Sequence, residues 1–164
     1  MRLKKFYSSR EVAAITGLSA RQLQWWDARR LFASAVASRP TAAGGFTERR
    51  YTTLDVLELQ VLADLRRRGF LVPQLRRLLA ALRDVFGVRL YEAIGEDGPL
   101  SLLIAGVQLY VKTADGRVFN IDRPTQALLV GADELPLRPL TTREWRKRTS
   151  GSEKLSRGRR RAAE

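Results

Sequence analysis

The chain has 164 residues, 45% of them hydrophobic, which is enough to build a core and excludes wholesale disorder. It contains no Cys and no His, so disulfides, thiolate nucleophiles, Ser-His and Cys-His pairs and most zinc and copper sites are excluded. The net charge is +13 and unevenly spread: residues 1–91 carry 17 Lys/Arg against 7 Asp/Glu, residues 92–142 carry 4 against 7, and residues 143–164 carry 9 against 3.

Positive charge attracts a polyanion through counterion release, so the two ends of the chain are the candidate nucleic-acid surfaces. Arg outnumbers Lys 25 to 5, as in GC-rich coding sequence, and part of this charge can be purely solubilising. No run approaches the roughly 18 apolar residues of a membrane span. The basic start, Met1-Arg2-Leu3-Lys4-Lys5-Phe6-Tyr7, lacks the apolar stretch of a secretion signal. A cytoplasmic protein without membrane contact is expected. No tight acidic cluster offers Mg²⁺ a site, and no acid–base or nucleophile constellation marks an enzyme, so neither a cofactor nor a metal is expected.

In chain order, Ser8 followed by Glu11 has the capping-box spacing and opens a helix in which Val12 and Ile15 face inward. Gly17, free to take a positive φ, makes a short turn before Ser19 caps a second helix over 20–30. Two short helices joined through a Gly-containing turn form the pattern of a helix-turn-helix. Residues 34–50 lack a helical period; Gly44-Gly45 permits a tight reversal, and short strand pieces at 46–47 and 50–52 make this a β-wing carrying Arg39, Arg49 and Arg50. Thr53 caps a third helix over 54–68 with Leu54, Leu57, Val61, Leu62 and Leu65 as its apolar stripe, ended by Gly69 after Arg66-Arg67-Arg68. Pro73 suits the first turn of a fourth helix buried through Leu75, Leu78, Leu79, Leu82 and Phe86. Gly87 interrupts it, and Leu90, Tyr91 and Ile94 form a further short turn. From Leu100 the period becomes 2, with Val107, Leu109 and Val111 on one face; Asp115-Gly116 signals a two-residue hairpin, with 118–121 returning and 100–104 available as a third strand. From Trp145 the chain is Arg, Lys, Ser and Gly, and is expected to be disordered.

Several of these motifs together resemble the DNA-binding domain of the MerR family over residues 6–82. Tyr7-Ser8-Ser9-Arg10-Glu11-Val12-Ala13-Ala14-Ile15-Thr16-Gly17-Leu18-Ser19-Ala20-Arg21-Gln22-Leu23 follows that family's opening helix-turn-helix. Gly44-Gly45, Arg49-Arg50-Tyr51-Thr52-Thr53-Leu54-Asp55-Val56 is similar to its wing and the start of the next helix, and Leu65-Arg66-Arg67-Arg68-Gly69-Phe70 to the end of that helix. Where family members continue with an arginine, two tyrosines and an aspartate, this chain has Gln24-Trp25-Trp26-Asp27. The resemblance implies a winged helix-turn-helix bound to double-stranded DNA as a transcription regulator, with the helix at 20–30 in the major groove. Arg21 and Gln22 then lie nearest the base edges, and Arg39, Arg49 and Arg50 grip phosphates with Tyr51 beside them. Gln24, in place of a positive residue, makes a weaker phosphate contact or a base contact. Trp25 is divided between core and DNA backbone, and Trp26 reads as core.

The expected fold class is therefore α+β: a mainly helical winged helix-turn-helix domain at 1–86, a small α+β segment with a β-hairpin at 87–142, and a disordered basic tail at 143–164. The family's long dimerisation helix has no room before Gly87 and Gly95. A homodimer is still expected, with 87–142 serving dimerisation, a protein partner or an effector. Two other readings stay open: an excisionase-like architectural DNA protein, and a DNA-binding antitoxin that autoregulates and binds a partner toxin.

Overall fold

The structure, a computed structural model, describes residues 4–33, 36–40, 47–94, 98–128 and 138–139. The Gly44-Gly45 reversal and the basic tail expected from the sequence lie outside the described residues, as does the side chain of Arg39. Helices in the N-terminal half are followed by a small α+β segment, the α+β class expected. Internal packing divides the chain into two units, with the boundary between Asp64 and Leu65 inside the third helix.

In the first unit, strand β1 (Tyr7–Ser8) leads directly into helix α1 (Ser9–Thr16). The Ser8 hydroxyl accepts the Glu11 N–H at 3.3 Å and the Glu11 carboxylate accepts the Ser8 N–H at 2.8 Å, satisfying two of the donors that a helix start leaves open. Lys4 also pairs with Glu11; its hydrogen bond, followed by the Ser8 N–H, holds the Glu11 carboxyl below its usual range. Gly17, at φ 77°, ends α1 in the left-handed region, as its sequence position suggested.

Helix α2 (Ala20–Ala28) buries Leu23 and Trp26, at 2% and 3% exposure. It ends two residues earlier than expected. Arg30 takes φ 55°, and the N–H groups of Leu31 and Phe32 return to the Trp26 carbonyl at 2.9 and 3.3 Å, closing the helix in the manner usual for a terminal glycine. Strands β2 (Val36–Pro40) and β3 (Thr47–Tyr51) complete an antiparallel sheet of order β1-β3-β2, with Tyr7 opposite Tyr51, Ser8 opposite Arg50, and a register shift between Val36 and Arg39.

Helix α3 (Thr53–Arg67) corrects two expectations. Its cap is Thr52 rather than Thr53: the Thr52 hydroxyl accepts the Asp55 N–H at 3.2 Å, and the Asp55 carboxylate accepts the Thr52 N–H at 2.8 Å. Leu54 is 40% exposed, while Val56, Leu59, Val61, Leu62, Ala63 and Leu65 are buried together with Asp55, Glu58, Gln60 and Asp64. A one-stripe pattern therefore understates this helix, which is covered on most sides. Among the described residues, no buried side-chain nitrogen or oxygen lacks a hydrogen-bond partner.

In the second unit, Gly69 and buried Phe70 end α3, and helix α4 (Val72–Asp84) buries Leu75, Leu78, Ala81 and Leu82. The short turn expected after Gly87 is a 3-10 turn, Leu90–Ala93. Strands β4 (Leu100–Ala105), β5 (Gln108–Thr113), β6 (Val118–Asn120) and β7 (Arg138–Pro139) form an antiparallel sheet of order β6-β5-β4-β7. Leu102 faces Val111 across the ladder and Ile104 faces Leu109, so one sheet face is continuously apolar. Phe86 meets that face edge-on at Phe119, with ring centroids 5.5 Å apart. Gln74 donates to the Val107 carbonyl at 3.2 Å, and Arg77 pairs with Asp122 at 3.0 Å.

Two details of this sheet depart from expectation. Val107 does not continue the inward-facing alternation; it is 62% exposed, because Ala105 pairs with Gln108 and the intervening Gly106-Val107 forms the turn, with Gly106 at φ 58°. The Asp115-Gly116 reversal is a three-residue loop: the N–H groups of Thr113 and Gly116 bond to the carbonyls of Arg117 and Thr113, and Gly116 supplies φ 85°.

Candidate nucleic-acid interface

Helix α2 separates its side chains cleanly. With Leu23 and Trp26 inward, the three-to-four-residue spacing leaves Arg21, Gln22, Gln24, Trp25 and Arg29 exposed. The structure thus brings four of the expected site residues, Arg21, Gln22, Gln24 and Trp25, onto one helix. Trp26 is core, as expected.

Gln22 has a second engagement. Its side-chain oxygen accepts the Ser19 N–H at 2.9 Å while the Ser19 hydroxyl accepts the Gln22 N–H at 3.0 Å. The Ser-x-x-Gln spacing of a capping box was present in the sequence, and reading Gln22 only as a base reader missed it. Trp25, 42% exposed, lies beneath the guanidinium of Arg29, whose carbon is 5.3 Å from the ring centroid. That is a cation–π pair at i, i+4 spacing. Arg29 had no role in the sequence reading, and its position four residues after Trp25 was the available signal.

The residues of β3 divide by strand alternation, since successive side chains point to opposite faces. Arg49 and Tyr51 share one face and Arg50 takes the other. Arg49 is held by Asp27 of α2, Nε to Oδ2 at 2.6 Å, with both side chains largely shielded at 24% and 29% exposure. Tyr51 is 2% exposed and bonds to the Ser9 side chain. Burial pushes the Tyr51 phenol above its usual pKa, against the hydrogen bond from Ser9 and the nearby charge of Arg49. Arg50 is half-buried, opposite Ser8 on one side and Val36 on the other. Arg39 is placed by its backbone in β2, opposite Glu48. The expected strand residues are therefore not equivalent: Arg50 stands apart from the two that engage the helices.

The arrangement offers hydrogen-bond donors and acceptors, an aromatic face and cations on one exposed helix. Among the described residues, no group of three or more acidic side chains is placed to hold a metal, and no helix is long and apolar enough to cross a membrane.

Residues 7–82 match the model of the family described as MerR HTH family regulatory protein. The match coincides with the segment on which the sequence resembles that family and identifies it as a MerR-type helix-turn-helix segment. DNA binding and transcription regulation are the general function this carries. No curated protein matches the chain.

Proposed function

We propose that the chain is a sequence-specific binder of double-stranded DNA that regulates transcription, with α2 entering the major groove N-terminus first. The observation that carries this reading is the exposed row of Arg21, Gln22, Gln24 and Trp25 on a helix whose other side is anchored by Leu23 and Trp26. Arg21 pairs with guanine and Gln22 with adenine through two hydrogen bonds each, the geometry those side chains offer in the major groove. Gln24 and Trp25 lie beside the sugar-phosphate backbone, and Arg50 and Arg39 take phosphates from the wing. Tyr51 supports the interface from inside. The protein acts in the cytoplasm as a homodimer, and residues 87–142 serve dimerisation, a protein partner or an effector.

Titration of the full chain with duplex DNA over a range of salt concentrations tests the reading. Binding should weaken with salt at a slope of about 0.9 per phosphate contact, and a selected duplex should compete better than a random one. Equal competition by every sequence would refute sequence-specific recognition.

A further inference from the structure

We infer that Arg49 and Asp27 form a positioning latch that fixes the recognition helix relative to the wing, and that of the tandem Arg49-Arg50 only Arg50 serves as a phosphate contact. This rests on the DNA-binding reading and assigns Arg49 a role that a basic wing residue would not be given by charge alone.

The basis is the alternation along β3. Arg49 and Tyr51 are two residues apart and so lie on the same strand face. Each engages a different helix of the pair: Arg49 pairs with Asp27 near the end of α2, and Tyr51 bonds to Ser9 at the start of α1. One short strand thereby holds both helices. Asp27 is separated by one residue from Trp25 and is flanked by buried Trp26, so it sits in the last turn of the helix whose first turn carries Arg21 and Gln22. With its charge matched at 2.6 Å and largely shielded, Arg49 would have to give up Asp27 to meet a phosphate, leaving a part-buried carboxylate unpaired. Among the described residues, no ion pair ties Arg50 in this way.

A charge-assisted guanidinium–carboxylate contact is directional as well as attractive, so the latch constrains an angle. If β3 takes phosphates through Arg50, the latch fixes where α2 lies along the groove when that contact is made. Arg49 and Asp27 are accordingly positioning residues: their loss loosens the register of the base-reading side chains without removing a cation from the backbone contact.

The test uses the full chain with Arg49→Gln, Asp27→Asn, the double variant of these, the charge exchange Asp27→Arg with Arg49→Asp, and Arg50→Ala. Binding is measured on a selected duplex and on random duplex across salt, with melting temperature of the free protein alongside. Arg49→Gln should lower the preference for the selected duplex about tenfold and leave the salt slope on random DNA unchanged; Arg50→Ala should lower that slope by about 0.9. The charge exchange should restore most of the lost preference, and the melting shifts of Asp27→Asn and Arg49→Gln should be non-additive. A slope reduced by about 0.9 in Arg49→Gln, with no rescue by the charge exchange, would make Arg49 a phosphate contact and overturn the latch. Additive melting shifts would overturn it independently of any DNA. A wild-type protein without sequence preference would instead fail the DNA-binding reading, a result distinct from additive melting shifts.

Discussion

The side-chain oxygen of Gln22 accepts the backbone N–H of Ser19 at 2.9 Å, so a residue in the first turn of α2, facing outward, also closes the end of its own helix. Substitution at Gln22 therefore has two effects that a pair of variants separates. Gln22→Ala should cost about 0.5–1.5 kcal/mol of stability, the net value of the one hydrogen bond lost while Ser19 still caps the helix, and relax selectivity at one or two base pairs. Gln22→Glu keeps the cap acceptor and should keep the melting temperature, but it removes the amide donor and sets a carboxylate toward phosphates, so selective binding should fall. An unchanged consensus with Gln22→Glu would show that Gln22 meets no base.

Arg30 closes α2 at φ 55°, a conformation costing a side-chain-bearing residue about 1–2 kcal/mol. Arg30→Gly should raise stability by about 0.5–1 kcal/mol in denaturant unfolding, the strain relieved being partly offset by the greater freedom of glycine in the unfolded chain. A loss of stability would mean that the charge of Arg30 at the helix C-terminus outweighs the strain.

The buried phenol of Tyr51 gives the fold a weakness in alkali. Its pKa in the folded protein lies above the usual 10.0, chiefly because burial disfavours the phenolate. The folded state then retains its proton where the unfolded chain has lost it, so this contribution is complete below pH 10 and is lost as the pH rises through the folded value. Tyr51→Phe should flatten the decline of stability above pH 10 in thermal melts. An equally steep decline in Tyr51→Phe would assign the effect to other groups.

The legible parts of this fold were those written in local chemistry. Ser8 with Glu11, Ser19, Gly17 and the Asp115-Gly116 reversal each announce themselves within four residues, and the helix-turn-helix followed from them. Val107 was misread because the period-2 alternation runs unbroken through a turn whose only local mark is Gly106. Thr52 and Thr53 are equivalent by composition, and the choice between them is made by where Asp55 can reach back. The ion pair of Asp27 with Arg49 joins residues 22 apart in sequence and depends on how β3 lies against α2, which spacing does not encode. The exposed row on α2 was legible because Leu23 and Trp26 mark the buried side.

Trp25 offers an optical readout, since Trp26 is shielded at 3% exposure while Trp25 is 42% exposed. Duplex DNA should protect tryptophan fluorescence from a water-borne quencher, and Trp25→Phe should abolish most of that protection with affinity reduced by less than about tenfold. Protection that persists undiminished in Trp25→Phe would remove Trp25 from the interface.

Base reading by the first turn of α2, as proposed, is decided by selecting bound duplexes from a randomised pool with wild type and with Arg21→Ala. Arg21→Ala should still bind duplex but lose its preference at one or two positions of the wild-type consensus, by about 1–3 kcal/mol against the wrong base. An identical consensus from both proteins, with affinity merely scaled down, would contradict it.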